Sequence, residues 1–230
     1  MGKPDRAGPE GGRLGNRSRK GVRDGILFEN RGRRGHGDGM AGLWEKTSLW
    51  LAQGLGVGRL PFAPGTWGAA LGVVWCMALL AGGSFWLYLA GIFCSCAASV
   101  YLCGRAEAML GEKDPGSVVL DEIIALPISF LPFVAAAWWR NGALPGPGSL
   151  CEKNGPLIGL TVFVLFRLFD ILKPWPVKQS QALPGGWGIT ADDVLAAIYT
   201  AAVAWVVLRL FQRHTLGSRA GWHLLQVESF

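Results

Sequence analysis

From residue 60 to residue 104 the chain carries no charged side chain. A membrane-spanning helix needs about 20 apolar residues, so this stretch holds two, and Ala81-Gly82-Gly83-Ser84 supplies a turn between them. The pattern predicts helices near 66–80 and 85–104, paired as a hairpin. Three later uncharged runs, 123–139, 154–166 and 194–208, are shorter. Each abuts charged residues that must sit at the lipid boundary or face other helices. With one crossing each, the chain passes through 123–139, returns through 156–173 and leaves again after Asp193. The expected fold class is all-α, a multihelical integral membrane protein.

Orientation follows from the cations. The leader and Arg59 flank one end of the hairpin, Arg105 and Lys113 flank the other, and the turn has none. The positive-inside rule then puts both hairpin ends in the cytoplasm. The same route leaves Arg209, Arg213 and Arg219 outside, against that rule, so the last helix is alternatively one that lies on the membrane or re-enters it.

Composition agrees with a membrane location. Hydrophobic residues make up 50% of the chain, charged ones 17%, and there are 11 Trp and 11 Phe; a soluble domain carries about 25% charged residues. The net charge of +6 is concentrated at the start, where residues 1–46 hold 11 Lys and Arg against 6 Asp and Glu. That segment is Gly/Arg-rich, with Phe28 its one aromatic residue before Trp44. It reads as a disordered extension, with no nucleic-acid partner expected and no apolar run that would make it a signal peptide. Met40 opens a more conventional start, so residues 1–39 read as dispensable. The expected layout is the extension at 1–46, a helical membrane domain at 47–215 and a tail at 216–230. Cys76, Cys94, Cys96, Cys103 and Cys151 form no CxxC pair and have no His nearby; they read as small buried hydrophobes.

Candidate chemistry sits at the edges of the apolar runs. Asp121 and Glu122 are adjacent acids within apolar sequence, either favoured by a helix N-terminus or functional. Arg167, Asp170 and Pro174 share a helix face, with Lys173 three residues beyond Asp170; an ion pair within the helix is the plain alternative. Pro174 and Pro176 end that helix. In Gly185-Gly186-Trp187-Gly188-Ile189-Thr190-Ala191-Asp192-Asp193, the glycines are expected to precede a helix start and let backbone approach a ligand. Thr190 is the expected N-cap with Asp193 closing a capping-box-like turn, which leaves Asp192 unexplained. The Pro/Gly loop from Gly58 to Gly68 ends in Gly65 and Thr66, a turn and N-cap or a phosphate contact.

On the five-helix path these acids reach one depth. Carboxylates beside an anion-binding helix start require a cation between them, and hard oxygen donors with no His or Cys select Mg²⁺. Cysteine- and aspartate-nucleophile phosphatase signatures are missing. His occurs only at 36, 214 and 223, outside every motif above, which argues against a phosphohistidine route.

Together, Pro61–Gly68, Asp114–Glu122, Phe166–Val177 and Gly185–Asp193 resemble the phosphatidylglycerophosphatase A family. Its pattern runs P-x-A-P-G-T-x-G, D-P-x-x-V-V-x-D-E, F-R-x-x-D-x-x-K-P-x-P and G-G-x-G-(I/V)-x-x-D-D, in this order. The resemblance covers roughly residues 50–210. It implies an Mg²⁺-dependent phosphatase of the bacterial inner membrane that converts phosphatidylglycerophosphate to phosphatidylglycerol. Ala69, Ala125 and Ala197 stand where the family often has Ser or Gly, which bears on local packing more than on chemistry.

The resulting expectation is that Asp121, Glu122, Asp170, Asp192 and Asp193 hold one or two Mg²⁺ at the cytoplasmic face. Arg167, Lys173, Thr66 and the Gly65 region bind the phosphate of a phospholipid that stays in the bilayer. Another lipid phosphate such as phosphatidic acid is the near alternative, and a transporter with intramembrane charges the alternative of a different class.

Overall fold

The computed structural model describes Gly2, residues 38–152 and residues 154–217. Among the described residues there are seven α-helices and no strand: α1 (Asp38–Ala52), α2 (Pro64–Leu80), α3 (Phe85–Leu110), α4 (Leu120–Asn141), α5 (Gly155–Leu172), the short α6 (Val177–Ser180) and α7 (Gly186–Gly217). The chain divides into two compact units between Trp44 and Glu45, and the second carries α2 to α7. Most of the expected extension at 1–46 lies outside the described residues, but from Asp38 the chain is helical, so residues 38–46 belong to α1. The expected tail lies outside them beyond residue 217.

The all-α expectation holds. Four helices are long and apolar enough to cross a membrane, namely α3, α4, α5 and α7 as far as Leu210, and α2 is a shorter apolar helix. The hairpin forms as expected, but α3 continues past 104 to Leu110, carrying Arg105 and Glu107 in its last turns. Its stop is Gly111, whose φ of 67° is the left-handed conformation that ends helices at glycine. The final helix starts at Gly186, well before the uncharged run at 194–208.

Two helices form the centre. α4 packs against α2, α3 and α7, and α7 packs also against α5 and α6. The core between them holds Tyr88, Leu126, Phe130, Val134, Val162 and Phe166. Two buried polar groups inside it are paired: Tyr88 donates its hydroxyl hydrogen bond to the Pro127 carbonyl at 2.8 Å, and Ser129 donates to the Ala197 carbonyl at 3.3 Å. Ala69, Ala125 and Ala197, the family departures, are all 0% exposed, which fits a role in packing. By contrast Trp86, Phe93, Leu160 and Ile171 point outward, an apolar surface suited to lipid rather than water. The cysteines split between these environments. Cys76 and Cys103 are buried as expected, Cys96 is partly buried, and Cys94 on the outer face of α3 and Cys151 in the turn before α5 are exposed.

The glycines of the Gly185–Asp193 stretch serve this packing. A Cβ on Gly186 would overlap the Val100 carbonyl oxygen and come within 2.7 Å of the Gly104 nitrogen. The start of α7 therefore lies backbone to backbone on α3, and neighbouring backbone cannot swing aside as a side chain can. Gly186→Ala is expected to destabilise the protein by about 1–3 kcal/mol through overpacking, read as a lower thermal midpoint of the purified protein in detergent. An unchanged midpoint would contradict the packing described.

Candidate active site

Alternating helix directions gather five helix ends at one end of the bundle. Asp121 and Glu122 lie in the first turn of α4, where carboxylates favour the positive end of the helix. Asp170 lies in the last turn of α5, and Lys173 caps it with a φ of 43°, a left-handed conformation that a side chain adopts only under some strain. Tyr199 helps to hold the exit, donating to the Trp175 carbonyl at 2.9 Å. Asp192 and Asp193 lie in the second turn of α7. The start of α4 is braced from the preceding loops: Val119 N–H donates to the Ala52 carbonyl at 3.1 Å, Arg59 Nε to Gln53 Oε1 at 2.6 Å and Gln53 Nε2 to Ser117 Oγ at 3.2 Å.

The expected acids do converge. One Arg167 nitrogen, Nη1, donates both to Glu122 Oε1 at 3.0 Å and to Asp170 Oδ2 at 2.7 Å, tying α4 to α5. Lys173 Nζ pairs with Asp192 Oδ2 at 2.7 Å, tying α5 to α7. Asp193 lies within electrostatic reach of Asp121, Asp170, Glu122 and Asp192. The ion pair within α5 is therefore real, but Arg167 also reaches Glu122 on another helix. Half-burial alone would lower the Lys173 pKa; the hydrogen bond and charge of Asp192, with Asp170 and Asp193 behind it, outweigh that and hold it above the ordinary value.

Burial sets how costly these charges are. Asp121 is 6% exposed, and Asp192 and Asp193 are 3% exposed. Five carboxylates face two cations, and three of their oxygens, Asp121 Oδ1, Glu122 Oε2 and Asp192 Oδ1, are buried with no hydrogen-bond partner. Arg167 Nε, in the same cluster, is a buried donor with no acceptor. Unpaired buried charge is strongly unfavourable, so these atoms are suited to partners from outside the chain. Hard carboxylate oxygens fit Mg²⁺. Among the described residues, however, no three Asp, Glu, His or Cys side chains already stand close enough to hold a metal ion, and Arg167 and Lys173 are paired with Asp170 and Asp192.

Two sequence expectations about the flanking loops need correction. Ala63 is the N-cap of α2 with Pro64 at its first position, so Thr66 lies inside the first turn as an exposed residue and caps nothing. Gly65 and Gly68 press on the Glu122 carboxylate: a Cβ on either would overlap its oxygens, and one on Gly65 would come within 3.0 Å of Arg167 Nη2. Backbone therefore covers Glu122 closely. Likewise Thr190 is not an N-cap, because α7 begins at Gly186; its buried hydroxyl is 2.9 Å from Ser99 Oγ on α3. Asp193 thus closes no capping box.

The sequence pattern did not single out Gln181. Its Nε2 donates to Asp192 Oδ2 at 2.9 Å and to Asp114 Oδ2 at 3.3 Å, so it links the cluster to Asp114. A loop glutamine in polar surroundings has no period or spacing that would mark it.

The family profile described as phosphatidylglycerophosphatase A matches residues 50–208. A Haemophilus influenzae protein of that name is 34% identical over 159 residues, covering 68% of this chain and 86% of that one. An Escherichia coli K12 protein of the same name is 30% identical over 161 residues, 68% and 81% respectively. A Bacteroides thetaiotaomicron protein, provisionally named as a phosphatidylinositol-3-phosphatase, is 31% identical over 167 residues, 68% and 93%. No solved structure matches.

Proposed function

The chain belongs to the phosphatidylglycerophosphatase A family, and we propose that it hydrolyses the terminal phosphate of phosphatidylglycerophosphate, using Mg²⁺, at the cytoplasmic face of the bacterial inner membrane. By family it is a phosphoric monoester hydrolase. The observation that carries the finer reading is the mixture of unpaired buried groups in one cluster: carboxylate oxygens that seek a cation beside the Arg167 Nε, which seeks an anion. A phosphate monoester with a divalent cation supplies both.

Asp121, Glu122 and Asp192 offer free oxygens that would hold the ion once drawn closer together than they stand here, with Asp170 and Asp193 adjoining. Bound there, Mg²⁺ would supply Lewis-acid charge to the phosphate and to the attacking water. Arg167 presents its free Nε–H to a phosphate oxygen, and Lys173 adds a compact positive charge beside Asp192. Gly65 and Gly68 cover Glu122 and keep water from its back. Thr66, exposed one residue after Gly65, remains a candidate contact for the phosphate at the rim. The acyl chains stay against the outward apolar faces of the bundle, so the headgroup enters sideways.

Arg59 before α2 and Arg105 and Lys113 at the end of α3 lie at the same end of the bundle as the acids, which supports the cytoplasmic assignment under the positive-inside rule. Charges gathered at helix ends, rather than at mid-depth, favour a phosphatase over a transporter. Phosphatidic acid remains the rival substrate, and the name of the Bacteroides relative points to inositol lipids in that protein.

The test is phosphate release by the purified chain from phosphatidylglycerophosphate and phosphatidic acid in mixed micelles, with Mg²⁺ or EDTA. Release from phosphatidylglycerophosphate is expected to fall at least about 100-fold in EDTA and to return with excess Mg²⁺, on the scale of losing one charge-stabilising group. Full turnover in EDTA would remove the metal from the proposal. No release from either lipid would remove the lipid-phosphatase reading.

A further inference from the structure

A cavity of about 230 Å³ with both charged and apolar walls lies beside the acid cluster, outside the residues assigned to phosphate or metal. Its charged and polar lining is Glu107 from the last turn of α3, Lys113 and Asp114 from the loop after it, and Gln181 from the approach to α7; Leu183 and Ile189 give it an apolar side. Gln181 joins it to the cluster, since one amide nitrogen donates to both Asp114 and Asp192. Glu107 is one of the lining residues, and its Oε2 is buried with no partner, about 4.0 Å from the position a Gly185 Cβ would occupy. A buried acceptor left unpaired is unfavourable until a side-chain turn brings it to a donor.

We propose that this cavity binds the hydroxyl-bearing glycerol of the headgroup, with Glu107 as the acceptor of its hydroxyl. The proposal rests on the lipid-phosphatase reading and adds the part of the substrate that the acids cannot read. A phosphate held at the Asp192 end leaves the adjoining carbons beside Gln181, from where the glycerol reaches into the cavity, its carbons against Leu183 and Ile189 and its hydroxyl toward Glu107. Gly185 keeps that space open, since a Cβ there would stand about 4.0 Å from Glu107 Oε2. Lys113 contributes a cation for the phosphodiester that links the glycerol to the lipid. A site that pairs a substrate hydroxyl with a buried acceptor disfavours an analogue without it, because the acceptor then stays unpaired. Phosphatidic acid, whose phosphate is attached directly to the diacylglycerol, lacks that hydroxyl.

The experiment compares sn-glycerol 3-phosphate with ethyl phosphate as inhibitors of phosphate release by the full chain in mixed micelles. Both are monoesters, and only the first carries hydroxyls. Wild-type protein is expected to be inhibited at about tenfold lower concentration by glycerol 3-phosphate, the scale of one or two net hydrogen bonds. Glu107→Leu should reduce that preference to less than about twofold, and Glu107→Gln, which keeps an acceptor, should retain most of it. A purely structural role for Glu107 would lower turnover without changing the preference, which would overturn the proposal. So would equal inhibition of the wild type, a result independent of whether any variant folds. Wild type that releases no phosphate from any lipid sinks the phosphatase reading instead; release without a glycerol preference sinks this inference alone.

Discussion

Asp121→Asn is expected to lower phosphate release from phosphatidylglycerophosphate by about 10³-fold or more while leaving the thermal midpoint unchanged or raised. The two halves of this result have one cause. Asp121 is 6% exposed, one of its oxygens has no partner, and its close electrostatic neighbours are Glu122, Asp192 and Asp114. Asparagine keeps the shape and removes one of several crowded negative charges, so the fold loses repulsion. The catalytic arrangement loses a cation ligand, and single groups of that kind carry factors of about 10²–10³ or more. Asp170→Asn and Asp192→Asn should lose comparable activity but also stability, since each breaks an ion pair with Arg167 or Lys173. Turnover near wild type in all three variants, measured as phosphate release at saturating Mg²⁺, would refute the assignment of these acids. A collapse of the Asp121→Asn midpoint would show instead that the carboxylate is structural.

The second large effect falls on Arg167. Its side chain is 18% exposed, and its Nη1 serves Glu122 and Asp170, whose side chains are each 13% exposed. Arg167→Leu strands both carboxylates on different helices, and removing one partner from a buried pair costs about 3–5 kcal/mol. For a chain of this size each kcal/mol is worth about 2–4 °C, so the midpoint is expected to fall by roughly 6–20 °C, with phosphate release lost as well. Arg167→Lys restores charge but not a fork, and should recover stability only in part. Glu122→Gln placed in the Arg167→Leu background removes one stranded charge and should regain about 1–2 kcal/mol, a coupling expected of direct contacts. Strict additivity in that cycle would mean that the bridge between α4 and α5 contributes nothing.

Much of this was legible in the sequence without any tertiary contact. The turn at Ala81–Ser84 and the helix stop at Pro174 were readable because small residues and proline act on their own backbone. The acids and Arg167 stood out because charge next to long apolar runs is costly wherever the chain goes. The helix start of α7 was misplaced for a reason specific to Gly186. Local preference makes glycine a poor helix residue, and only the close face of α3 explains why α7 begins there and buries Thr190 against Ser99. Gln181 escaped notice because its importance comes entirely from Asp192 and Asp114, residues remote from it in sequence or in another loop.

The sequence alone therefore determined an all-α chain, the approximate spans of its apolar helices and the acids worth watching, since these depend on composition and short-range backbone preference. Tertiary structure decided which acid pairs with which cation, that Gly65 covers Glu122 rather than open space, and which buried oxygens are left without partners. Those depend on distances between helix ends far apart along the chain, and such distances are set by how the helices pack.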